Sequence, residues 1–216
     1  MHAAWQAETG KKPIVGLSAT RDVQDAILAD PARAAAVNVI DLRYWWYTAA
    51  GTAYAPPGGQ NLAPRQQLRE AKGGSKTSDV QAARAVAEYR RRFPEKAVLC
   101  STDGANGWAT LAAGGSLPNL RGADAALLAA AARLKPVPVT TEPNQWALGE
   151  PGRGYLVYSA SGAGVRLDLA DGNYTARRID PRTGRRTGDS FTVRGGGSAE
   201  TAASGDGPWV LWLTRD

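Results

Sequence analysis

Residues 77–103 read TSDVQAARAVAEYRRRFPEKAVLCSTD, and the way this stretch divides decides the fold. Thr77 or Ser78 stands where an N-cap is needed, and Val80, Ala83, Val86 and Ala87 recur at helical spacing along one side. The last turn is basic, which suits the negative end of a helix dipole, and Pro94 forbids continuation. KAVLCSTD (96–103) follows at once as a short apolar run of the buried-strand type. A helix delivered so directly into a buried strand belongs to a βαβ unit, whose strands run parallel through right-handed crossovers.

The same alternation extends outward. PIVGLSAT (13–20) reads as a first strand, DVQDAILADPARAAA (22–36) as a helix with Asp22 near its start, and VNVIDLRYW (37–45) as a second strand. AAWQAETG (3–10) has the form of two helical turns closed by Gly10, so the chain is expected to begin inside a domain. Beyond residue 103, GWATLAAGG (107–115) is expected to be a helix ended by Gly114 and Gly115, SLPNL (116–120) a short strand, and ADAALLAAAARLKP (123–136) a helix stopped by Pro136.

After KPVPVTTEP (135–143) the pattern changes. QWALGE, GYLVYSA, VRLDLA, NYTARRID, SFTVRG and PWVLWLTR are short β-type runs separated by PGRG, SGAG, DG, PRTGRRTG and GGG. Alternation in VRLDL and YTARRI turns one apolar face inward, and in DPRTG Pro181 presets φ while Gly184 permits positive φ. An antiparallel β-sandwich follows from this pattern.

Length and composition limit what the chain does. With 216 residues, 43% of them apolar, it can build one large or two small packed domains. The formal charge of +6 is spread in small groups such as Arg90–Arg92 and Arg185–Arg186, so a solvated basic face is expected and nucleic acid is not expected as a partner. A single Cys100 and a single His2 leave no disulfide framework and no zinc-type ligand set, and no metal or other cofactor is expected. Gly58 and Gly59 after two prolines make a turn, since no helix start or GK[ST] follows, and Asn173 in NYT is already explained by its turn-strand junction. No apolar run approaches the roughly 18 residues of a membrane span, and the opening residues lack a signal-peptide core.

Two stretches together resemble a known family. NYTARRIDPRTGRRTG with VRGGG and PWVLWL is similar to the small C-terminal β-sandwich, of the collagen-binding type, that follows the (β/α)8 barrel in certain bacterial glycoside hydrolase-like proteins. KAVLCSTDGANGWATLAAGGSLPNL resembles that barrel's seventh strand, the following helix and the eighth strand, with a lysine-led strand ending in a carboxylate. The resemblance implies an α/β fold: an incomplete (β/α)8 barrel of the last three or four βα units over residues 1–138, then a β-sandwich over 139–216. It also implies a carbohydrate partner, a missing barrel half supplied upstream or by another chain, and a secreted or cell-envelope setting.

Within such a barrel, Val39, Asp41, Arg43 and Trp45 share one face of the second strand, and Ile40, Leu42 and Tyr44 share the other. If Ile40 and Leu42 pack on helices, Asp41 and Arg43 point inward near the strand's C-terminal end, where barrel sites are built. Tyr44, Trp45 and Trp46 then line the cleft mouth, with Gln60 and Asn61 in the following loop able to meet sugar hydroxyls. Glycoside hydrolysis uses two carboxylates. The resemblance places one upstream of this chain and makes Asp103, on the face of Ser101 and Leu99, the nearest candidate for the other, although related proteins often carry Glu there; Asp41 is the second choice. Two readings stay open at this stage: a glycoside hydrolase-like enzyme, inactive as this piece alone, or a non-catalytic glycan-binding or scaffolding protein. Asp41 with Arg43 would equally serve as a structural ion pair, and Trp45 and Trp46 as a lid on the core.

Overall fold

A computed structural model describes residues 2–42, 47–48, 50–51, 78–100, 105–139, 143–201, 205 and 207–216. Three short strands, β1 (Gly16–Leu17), β2 (Val39–Leu42) and β3 (Ala97–Cys100), lie side by side in that order and run parallel. Leu17 is level with Ile40, and Asp41 with Leu99. Side chains alternate as the sequence requires. Ile40, Leu42 and Val98 are buried, whereas Val39, Asp41, Ala97 and Leu99 on the opposite face keep partial exposure.

Helices connect these strands. α1 (His2–Thr9) ends at Gly10, whose φ of +66° makes the expected C-cap. The stretch read as one helix is two: α2 (Arg21–Ala29) and α3 (Pro31–Ala36). The break follows from Asp30–Pro31. A residue preceding proline is driven out of the helical region, and Asp30, at ψ 115°, accepts hydrogen bonds from the amides of Ala32 and Arg33 and so starts a new helix. α4 (Asp79–Arg92) is the predicted central helix, with Ser78 as N-cap accepting from Gln81 and Phe93 as the last residue before Pro94. It buries Ala82, Ala83, Ala85, Val86 and Tyr89. Lys96, which leads into β3, is itself buried and donates its ammonium to the carbonyls of Ala34 and Val37, both at 2.8 Å. Both carbonyls lie at the end of α3, and that of Ala34 also accepts the Val37 amide, so the lysine adds a charged donor to the end of one helix while starting the next strand.

α5 (Ala105–Ala112) and α6 (Ala125–Ala131) follow. Residues 116–120 between them form no strand; only the Ser116 amide reaches the β3 edge, at the carbonyl of Val98. Pro136 does not end α6, which stops at Ala131; it sits inside β4 (Lys135–Val137). A proline is tolerated there because β4 is an edge strand with one side unpaired.

The rest is antiparallel. β5 (Gln145–Glu150), β6 (Gly154–Ser159), β8 (Asn173–Ile179), β9 (Arg186–Arg194) and β11 (Trp209–Arg215) join β4 in one sheet of order β4-β5-β6-β11-β8-β9. β7 (Val165–Leu169) pairs with β10 (Gly197–Thr201). β4 and β10 were not foreseen: a Pro-containing trio and a Gly-Ser-Ala run carry no β signal of their own and are strands only because a partner supplies the ladder. Alternate residues of the larger sheet serve two clusters. Leu148, Leu156, Tyr158, Ile179, Val210 and Trp212 join the helices and the parallel strands in one core. Ala147, Tyr155, Val157, Tyr174, Trp209 and Leu211 pack with Val165, Leu167 and Leu169 of β7 in another. The aromatics of this sheet are therefore divided, Tyr158 and Trp212 in the first cluster and Tyr155 and Trp209 in the second. Among the described residues no helix is long and apolar enough to cross a membrane.

Candidate functional site at the carboxyl ends of the parallel strands

Asp41 is the one proposed site residue inside the described region. It stands one residue before the C-terminal end of the central strand, on the face turned away from the helices, and is partly exposed. Ser18, one residue beyond β1 and level with it in register, donates its hydroxyl to Asp41 Oδ2 at 2.8 Å. The hydroxyl thereby orients the carboxylate on a face that keeps partial exposure. Gln24 of α2, fully buried beneath this end of β1, accepts from the Ala19 amide at 3.2 Å, while its own amide nitrogen finds no partner among the described residues. Asp103, Arg43, Tyr44, Trp45, Trp46, Gln60 and Asn61 lie outside the described residues.

The chain returns to the described region at Tyr47, which is buried and held from three sides. Its hydroxyl donates to Glu88 Oε2 of α4, and the guanidiniums of Arg21 and Arg84 each lie 4.8 Å from its ring centre. Glu88 also pairs with Arg21 at 2.8 Å; Arg92 pairs with Asp25 at 2.8 Å, and Asp25 accepts from the Tyr89 hydroxyl. Burial, then the bond to Glu88, raises the Tyr47 phenol above its ordinary range, so it stays a donor. This cluster ties α2 and α4 together and holds Tyr47 against them. Only half of it was legible: Arg21–Asp25 and Glu88–Arg92 are helical i,i+4 pairs in the sequence, but their meeting needs the two helices packed. Arg92 is accordingly not part of a merely solvated basic face, and Arg90 also has a partner, donating to the Lys96 carbonyl.

Cys100, at the end of β3, is free and buried. Burial first, and the charge of Asp41 second, push its thiol up to about 12. Such a thiol is no nucleophile, and a consequence for stability follows. Below about pH 9 the thiol is protonated folded and unfolded alike, and its contribution is complete; as pH rises from there towards about 12 only the unfolded chain ionises, so stability is lost. The loss attributable to Cys100 is about 1.4 kcal/mol per pH unit in that window. Urea titrations at several alkaline pH values should therefore fall more steeply for the natural chain than for Cys100→Ala, and equal slopes would contradict the assignment.

A cavity of about 660 Å³ lies elsewhere. Ala87, Pro94, Ala113, Pro136 and Trp146 line it at the C-terminal end of α4, hence at the opening end of β3 rather than its carboxyl end. Among the described residues its charged lining is Arg90, Arg91 and Lys135, with no carboxylate pair of the kind glycoside hydrolysis uses.

A mixed α/β chain of parallel and antiparallel sheets, with a carboxylate at the carboxyl end of its central parallel strand, is the class that the fold defines. Its fold is similar to that of a family 5 glycoside hydrolase from Bacteroides vulgatus, at 10% identity and a TM-score of 0.50, over 93% of this chain and 54% of that one. A family 44 xyloglucanase from Paenibacillus polymyxa is more distant, at 10% identity and a TM-score of 0.42, over 90% of this chain and 49% of that one. The chain thus spans about half the length of the solved structures it matches. It belongs to the family described as domain of unknown function DUF6298, which matches residues 1–134. No curated protein matches it.

Proposed function

We propose that the chain is the C-terminal portion of a carbohydrate-active, glycoside hydrolase-like protein. On this reading residues 1–138 contribute the last βα units of a (β/α)8 barrel, and residues 139–216 form a β-sandwich of the collagen-binding type that buttresses it. The observation that carries the proposal is Asp41: a carboxylate at the carboxyl end of a parallel strand, oriented by Ser18 on a face that keeps partial exposure among the described residues. The outer edge of β1, beside which Ile14 is 82% exposed, is where further barrel strands would add, from an upstream segment or another chain. Of the two carboxylates that hydrolysis uses, one comes with the added strands and the other is Asp103, with Asp41 as the second choice; Arg43, Tyr44, Trp45, Trp46, Gln60 and Asn61 are the sugar contacts.

Asp41→Asn tests it, because the substitution keeps the side chain's shape and removes its charge. Calorimetric titration with soluble neutral oligosaccharides should show affinity about tenfold weaker or more, while the thermal midpoint holds. Unchanged affinity with a lowered midpoint ends the site assignment. Saccharide binding without any hydrolysis, once the remaining strands are supplied, would leave a glycan-binding protein.

A further inference from the structure

Ala87, Arg90, Arg91 and Pro94 recur at helical spacing, and all four line the cavity of about 660 Å³ along one side of α4 and its exit. Across from them stand Pro136 and Trp146, both on the helix-facing side of the antiparallel sheet. Pro136 is level with Leu148, two residues along β5 from Trp146, and Trp146 is level with Tyr158. The Trp146 ring stacks on Tyr158 with centroids 6.1 Å apart and is only half-buried, so it gives the cavity a flat aromatic wall. Lys135 falls on the opposite face of β4 with Val137, so the charge turned to the cavity comes from α4.

The Arg90 side chain is held beside this wall. Gly114 lies against it and against Pro136 at once: a Cβ on that glycine would stand 3.1 Å from Arg90 Cγ and 2.8 Å from Pro136 Cγ. The guanidinium donates from Nη1 to the Lys96 carbonyl, while its buried Nε has no acceptor among the described residues. Nε and Nη2 form the side-on edge of a guanidinium, which takes both oxygens of a carboxylate. A buried donor without an acceptor is costly, so an acceptor brought by a ligand is favoured there. Arg91, exposed at the rim, adds a second positive charge, and the described lining holds no carboxylate to oppose the two.

We propose that this cavity is a binding site for a small flat apolar molecule bearing one carboxylate, with its ring against Trp146 and Pro136 and its carboxylate on the side-on edge of Arg90. The volume is within the ordinary range of ligand pockets, and apolar walls with a few placed polar groups are their ordinary composition. The site is separate from the carbohydrate cleft, because it lies at the opening end of β3 and Asp41 stands near the carboxyl end of β2.

Calorimetric titration of the chain with a naphthalene carboxylate, the matching carboxamide and acetate tests it. The acid should bind about tenfold or more tightly than either of the others, since the amide keeps the ring without the charge and acetate the charge without the ring. Arg90→Gln should bring the acid-to-amide preference close to one and leave the affinity for the amide nearly unchanged. A damaged fold would weaken both ligands together, so the ratio separates a site from a loss of structure. Arg91→Gln, at the exposed rim, should lower the same ratio about threefold, and Trp146→Leu should weaken acid and amide alike about tenfold. Equal binding of acid and amide, or a ratio unmoved in both arginine variants, overturns the anion site. Acetate binding as tightly as the acid, or no loss in Trp146→Leu, overturns the aromatic wall as a contact. Binding of none of the three probes overturns the site altogether, and self-association of the chain that the acid reverses would place a second copy in the cavity and overturn the small-ligand assignment.

Discussion

Trp108→Ala is expected to lower the stability of the chain by about 3–5 kcal/mol, the range for emptying a large buried aromatic site. The indole is 1% exposed and is the largest of the fully buried side chains. It belongs to the cluster in which α4, α5 and the parallel strands meet Leu156, Tyr158, Val210 and Trp212 of the antiparallel sheet. Its loss therefore opens a void that both halves of the chain line. For a domain of this size the thermal midpoint should fall by roughly 6–20 °C. Trp5→Ala is the matched comparison. That indole is 53% exposed, and its removal should change stability by no more than about 0.5 kcal/mol. Chemical denaturation of the two variants beside the natural chain checks both values, and a Trp108→Ala midpoint within error of Trp5→Ala would refute the shared core.

The second large effect concerns a backbone contact. Gly184 closes the β8–β9 turn at φ +71°, and a Cβ there would stand 2.3 Å from the Arg121 carbonyl oxygen. The approach is mutual: Gly122, at φ +69°, would place a Cβ 2.3 Å from the Thr183 carbonyl oxygen. Two loops, one entering α6 and one joining β8 to β9, are thus pressed together where only glycine fits. Gly184→Ala adds left-handed strain to an overlap with backbone that has no rotamer to escape into, at a combined cost of about 2–4 kcal/mol. Gly188→Ala separates the two terms. It carries the same kind of φ, +67°, with open space ahead of it, and should cost only about 1–2 kcal/mol. Equal urea midpoints for the two variants would show that the loop contact contributes nothing.

Local chemistry explains which elements could be read in advance. Ser78, the apolar side of α4 and Pro94 set that helix by capping, burial and a missing amide, all of which act within a few residues. The alternation of Val39, Ile40, Asp41 and Leu42 assigns Ile40 and Leu42 to the helix side and Asp41 to the open side, because a strand has no other way to divide its side chains. Asp180, Pro181 and Gly184 make their turn by the same short-range logic, with the Gly184 amide on the Asp180 carbonyl.

What the tertiary structure alone decided is where those pieces meet. Lys96 looked like the first residue of a strand and proves to close α3 some 60 positions earlier, a contact that needs both elements already packed. Glu88 and Arg92 were a helical pair until Arg21, Asp25 and Tyr47 were brought against them. Tyr155 and Tyr158, three residues apart on one strand, fall on opposite faces of a sheet covered on both sides, so one joins the helices and the other β7. Hydrogen-bonding capacity, φ preference and side-chain alternation belong to a residue and its neighbours, and the sequence determines them. Which distant surface a face is buried against depends on long-range packing, which no window of sequence contains.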